Sequence, residues 1–138
     1  MEKKLSVDLK MNKLMLNEDK YSKISDLIEE NKNVDNVLTF YSLAKFYKLA
    51  TISESSLFYI ERCFPMVVET RNFLHLDLSI VAKILASSEL NIHSEVEVFN
   101  AVITWLKHNI EERNKYTKQL LLKVRLSLLS EYAINYIL

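Results

Sequence analysis

No glycine occurs among the 138 residues of this chain, and that absence constrains its fold more than any motif it carries. Glycine is the residue that enters positive φ without steric cost, so it builds tight turns and lets a backbone approach a ligand closely. Without it there is no Gly-rich phosphate loop, no Rossmann turn, no EF-hand loop and no Asn-Gly hairpin. Most nucleotide enzymes are thereby excluded. What remains is a fold of helices whose ends are finished by polar residues, and Asn31, Asn91 and Asn109 are the residues expected to take the left-handed conformation there.

The lone cysteine, Cys63, excludes a disulfide framework and every Cys-rich zinc site, and reads as an intracellular chain. Eighteen basic residues balance eighteen acidic ones, so no net charge draws the chain to phosphate backbones or anionic membranes. Neither nucleic acid nor a membrane is an expected partner. The longest apolar runs, at residues 64–68 and 120–122, fall far short of the roughly 20 residues of a membrane span. Residues 1–10 lack the apolar stretch of a signal peptide. A chain of this length buries roughly two thirds of its unfolded surface, enough for one core.

Leu5, Val7, Leu9 and Met11 alternate with polar residues at a strand period, which marks an extended arm before the helices. From Lys20 the spacing becomes helical. Ile24, Leu27 and Ile28 define a first helix over about 20–30. A second, capped by Asn33 or Asp35 and running to about 48, carries Val34, Val37, Leu38, Tyr41 and Ala44 on one stripe and Phe40, Leu43 and Phe46 on another. Such a helix is expected to be sandwiched. Thr51 and Glu54 have capping-box spacing for a third, with Leu57, Ile60 and Phe64 inward. Pro65 should end or kink it near Cys63 and leave a separate turn over 66–69. Asp77 or Ser79 opens a helix with Leu78, Val81, Ala82 and Leu85. Ser94 and Glu97 form a capping box for another that ends near His108, with Val96, Phe99, Ile103 and Leu106 along one face. Asn109 starts a further helix with Tyr116, Leu120, Leu121 and Val124 inward, and Ser130 caps a last one with Tyr132 and Ile137. The expected fold is all-α, a bundle of stacked antiparallel helix pairs with six to eight helices.

Four segments in order carry a family resemblance: NVDNVLTFYSLAKFYKLATISESSLFYIERCF at 33–64, VVETRNFLHL at 67–76, SSELNIHSEVEVFNAVITWLKH at 87–108, and VRLSLL followed by Ser-Glu-Tyr at 124–132. Together they resemble the BACK domain of BTB-kelch proteins. Ser127 stands where that family usually has proline, and Pro65 lies in a helix that normally continues. The resemblance implies residues 33–138 as the BACK domain, with its three-box helix pair at about 34–64. Residues 1–32 would be an arm and leading helix, a remnant of a preceding domain. The implied function is that of a non-catalytic, cytoplasmic adaptor with access to the nucleus. It would link a BTB domain that grips cullin-3 to a kelch propeller that captures ubiquitination substrates. A stand-alone helical interaction domain, a short form or decoy not engaged with cullin, is the alternative.

The aromatic cluster Phe40, Tyr41, Phe46, Tyr47, Phe58 and Tyr59 has two readings, plain core or part of a partner groove. Under the second, Val37, Phe40, Tyr41 and Ala44 face the partner. His75, His93 and His108 show no paired spacing on one helix, so no metal site is expected. Cys63 reads as a buried, inert thiol. Trp105 reads as core with an indole N–H that needs an acceptor. The charges at 111–113 and 115–118 read as a solvated face. No carboxylate pair stands near a nucleophile or base, so neither catalysis nor a cofactor is expected.

Overall fold

The computed structural model describes residues 18–124. Its elements in order are α1 (Glu18–Asn31), α2 (Val37–Phe46), α3 (Ala50–Arg62), α4 (Phe64–Val67), α5 (Arg71–Leu74), α6 (Leu78–Leu85), α7 (Glu95–His108), α8 (Ile110–Arg113), a 3-10 turn (Asn114–Tyr116) and α9 (Thr117–Leu121). The fold is all-α, as the periodicity requires, and no strand occurs among the described residues. None of these helices is long and apolar enough to cross a membrane. The arm at 5–11 and the last helix opened by Ser130 lie outside the described residues.

The chain divides after Phe58 into two compact units. In the first, Ala44, Leu49 and Ile52 form a buried cluster, and Tyr21, Ile28 and Tyr47 pack against it. The inward face of α1 is therefore Tyr21 and Ile28; Leu27, expected to join them, is exposed. Glu29 sits at the helix C-terminus, where the dipole disfavours an anion. Lys32 Nζ, 2.9 Å away, offsets this, and both side chains hydrogen-bond to Ser55 of α3.

The turn into α2 is built by two asparagines. Asn33 Oδ1 accepts from the Asp35 and Asn36 N–H groups, while Asn36 Oδ1 accepts from Asn33 N–H at 2.8 Å. This reciprocal pairing is a capping box made of amides. Asn33 thus caps the turn as expected, and the helix proper starts after Asn36.

The left-handed residues expected at Asn31, Asn91 and Asn109 are not found. The one non-glycine residue with positive φ among those described is Lys48, at 57°. It ends α2 in a Schellman turn: Leu49 N–H reaches back to Ala44 carbonyl at 2.8 Å and Lys48 N–H to Lys45 carbonyl at 3.4 Å. Contact between the residues flanking such a turn commonly accompanies it, and here Leu49 and Ala44 share one cluster. Thr51 consequently lies inside α3 rather than capping it.

Pro65 ends α3 at Arg62, as expected, and sits in the first turn of α4. Having no N–H, it leaves the Glu61 carbonyl without its helical donor. A distant residue supplies one. Asn91 N–H donates to Glu61 carbonyl at 2.8 Å and Asn91 Nδ2 to Arg62 carbonyl at 3.0 Å, while Ser87 Oγ hydrogen-bonds the Glu61 carboxylate. Asn91 therefore caps a helix, but from another segment.

In the second unit α7 packs against α5 and α9. Thr70 caps α5 by accepting from Phe73 N–H, and Asp77 caps α6 by accepting from Ile80 N–H at 3.0 Å. The buried side of α6 is Ile80, Val81, Ile84 and Leu85. Ser94 caps α7 one residue earlier than a standard box: its Oγ accepts from Val96 N–H, and Glu97 reaches back to His93 N–H at 2.6 Å. The buried face of α7 is Glu95, Val98, Phe99, Ala101, Val102, Trp105 and Leu106, which leaves the expected Val96 and Ile103 half-buried at its edge. After Asn109 the single helix expected there is broken into α8, the 3-10 turn and α9, with Leu120 and Val124 buried. Fully burying side chains such as Phe73 and Leu120 contributes about 1.5–3 kcal/mol each.

Candidate partner-binding surface

Helix α2 is amphipathic in the structure although its sequence is apolar on two stripes. Val37, Leu38, Tyr41 and Ala44 are buried. The second stripe faces outward: Phe40 is half-buried, Leu43 is 49% exposed and Phe46 55%. Within the described structure the helix is therefore not sandwiched. Core packing takes one stripe, and the other remains as an exposed apolar face, the kind of surface that marks an interaction site in a soluble chain.

Of the four residues expected to face a partner, Val37, Tyr41 and Ala44 lie in the core and hold α2 from beneath, while Phe40 retains surface. Leu43 and Phe46, assigned in sequence to the same stripe as Phe40, are the larger exposed contributors. The aromatic cluster divides the same way. Tyr41 is core; Phe40, Tyr47 and Tyr59 are half-buried; Phe46 and Phe58 are exposed. The Phe46 and Tyr47 rings meet edge to face at 4.9 Å, and Lys45 Nζ lies 5.7 Å from the Tyr41 ring. Those contacts limit the rotamers open to the exposed face, so a partner would meet a partly ordered surface.

Cys63 is half-buried rather than buried. Burial pushes the Tyr59 phenol above its ordinary pKa, and the adjoining Cys63 thiol adds to the rise through its charge and a hydrogen bond. Ser56, fully buried on α3, has no hydrogen-bond partner for its hydroxyl. Nothing in its spacing marked it as polar core.

Trp105 occupies the centre of the second unit, 1% exposed, and its indole N–H donates to Leu76 carbonyl at 3.0 Å, the acceptor the sequence required. Arg113, expected on a solvated face, is instead half-buried against it. Its guanidinium lies 4.0 Å from the Trp105 ring centroid and donates to Trp105 carbonyl at 2.7 Å and Leu74 carbonyl at 2.8 Å. Desolvation lowers its pKa from the ordinary arginine value. The planar fork lets one side chain stack and bridge two carbonyls at once. Glu111 and Glu112 do face solvent. His75 and His108, far apart in sequence, are brought together with ring centroids 5.0 Å apart.

Residues 37–137 match the family described as BACK, BTB And C-terminal Kelch. Over 107 residues, 78% of this chain, the sequence is 35% identical to Kelch repeat and BTB domain-containing protein 3 of Mus musculus. It is 34% identical to the proteins of that name from Homo sapiens and Pongo abelii. The chain spans 18% of the length of these relatives.

Proposed function

The chain belongs to the BACK family, and from that membership we propose that it serves as a non-catalytic connector in a BTB-kelch substrate receptor of a cullin-3 ubiquitin ligase. The observation that carries this reading is the continuous family match over 37–137, joined by relatives whose names pair BTB with kelch repeats. On this reading residues 33–138 are the BACK domain and 34–64 its three-box. The receptor works in the cytoplasm and reaches the nucleus.

The contribution of such a module is positional. A ligase transfers ubiquitin only to what it holds at the right distance, and misplacement of about 1 Å can cost roughly a hundredfold in a positioned reaction. Two features support that role. The Trp105, Leu76 and Arg113 hydrogen bonds tie α5, α7 and α8 together. Helix α2 offers Phe40, Leu43 and Phe46 to a partner while Val37, Tyr41 and Ala44 anchor it.

The test is size-exclusion chromatography with the cullin-3 N-terminal region, using this chain alone and joined at its N-terminus to a BTB domain. The joined form should co-elute, and the chain alone should bind weakly or not at all because the BTB half of the groove is missing. Failure of the joined form to bind overturns the cullin reading in favour of a stand-alone helical interaction domain.

A further inference from the structure

His75 and His108 come from opposite sides of a fixed register. His75 is the residue that ends α5, and its successor Leu76 accepts the Trp105 indole bond. His108, the last residue of α7, stands one turn beyond Trp105. Arg113 bridges Leu74 carbonyl, next to His75, to Trp105 carbonyl, one turn before His108. Three hydrogen bonds therefore fix the backbone beside each histidine, and Trp105, a member of two of them, is almost fully buried. Both histidines are exposed.

We propose that His75 and His108 form a two-imidazole site for a borderline divalent transition-metal ion of the Zn2+, Ni2+ and Cu2+ class. A metal-to-nitrogen bond of about 2.0–2.1 Å places a ring centroid about 3.2 Å from the metal, so two imidazoles at a tetrahedral angle have centroids about 5.2 Å apart. The observed separation is 5.0 Å. The rings stand 86° apart, and histidine χ2 is a broad torsion whose rotation re-aims the ring nitrogens while leaving the centroid nearly in place. Imidazole is a ligand well suited to this class of ion. His108 lies at the C-terminal, negative end of a 14-residue helix, which favours a cation. The positive Arg113 opposes it and sets the affinity at the weak end. No group of three or more ligating side chains occurs among the described residues, so water fills the remaining positions and the site stays open to a further ligand.

Isothermal titration of the full chain with NiCl2 at neutral pH tests this, with His75→Gln, His108→Gln and His93→Gln measured beside the wild type. His93 is the third histidine and lies outside the pair. One ion per chain is expected, and loss of either paired histidine should weaken binding by about tenfold or more, since the second ligand then no longer acts at high effective concentration. His93→Gln should bind as the wild type does. Thermal melts give a second reading: Ni2+ should raise the Tm of the wild type and of His93→Gln, because it binds the folded pair preferentially, and should not raise that of the paired variants. Wild-type affinity weaker than about 1 mM, or binding unchanged in both paired variants, overturns the proposal.

Discussion

Lys48 does in this chain what glycine does in most. Its φ of 57° puts its Cβ close to the following carbonyl oxygen, at a cost of about 1–2 kcal/mol for a non-glycine residue. The Schellman bonds of Leu49 and Lys48 and the packing of Leu49 on Ala44 hold it there. Lys48→Gly relieves the strain but gives the unfolded chain more freedom, about 0.5–1 kcal/mol, so the net gain should be about 0–1.5 kcal/mol. Lys48→Val should destabilise, because a branched Cβ worsens the same clash. Urea denaturation of the two variants measures both, and a loss of stability in Lys48→Gly would show that the lysine side chain itself holds the turn. The sequence shows that any left-handed helix cap must fall to a residue without glycine's freedom. It does not show which, because asparagine's preference for the left-handed region is local, whereas the choice is made by packing. Asn31 closes its helix through its side chain, Nδ2 to Leu27 carbonyl at 2.7 Å. Asn91 is spent on the carbonyls beside Pro65. Asn109 keeps a negative φ of −149°.

At the scale of elements, periodicity reads a helix more surely than it reads which side of that helix is buried. Helix α7 begins at its serine cap and ends near His108 as its spacing predicts, yet its inward face is rotated toward Val98, Val102 and Trp105. The reason is Trp105. A large ring that must bury and also find an acceptor turns the helix until the indole reaches Leu76 carbonyl. Arg113 then stacks over the ring. Val102 is fully buried and Ile103 only half-buried. Val102→Ala should therefore cost about 2 kcal/mol and Ile103→Ala less, although isoleucine loses more atoms. The opposite order in a pair of denaturation curves would restore the face read from spacing. The break after Asn109 was less legible, since residues 110–121 carry helical periodicity throughout and only the turn of Arg113 toward Trp105 and Leu74 gives a reason for short pieces in place of one rod.

For the whole molecule, the two apolar stripes of α2 pose a choice the sequence leaves open, because both have helical spacing and comparable hydrophobicity. Burial of Val37, Tyr41 and Ala44 settles it within this structure, and Leu43 and Phe46 are left exposed. Stability and partner binding should consequently separate along one helix. In the chain joined to a BTB domain, Leu43→Asp with Phe46→Asp should leave the Tm within a few degrees, as surface changes usually do. On the cullin reading proposed above, it should weaken binding of the cullin-3 N-terminal region by about tenfold or more, because each charge would have to be desolvated against an apolar partner. Tyr41→Ala should do the reverse, costing about 3 kcal/mol of stability while sparing affinity in the fraction that stays folded. Calorimetric melts and binding titrations on the same samples separate the two effects. If the paired aspartates bind cullin-3 as the wild type does, the contact lies on another face and the exposed stripe serves a different neighbour. If Tyr41→Ala leaves the melt unchanged, the buried stripe carries less of the fold than its position in the core implies.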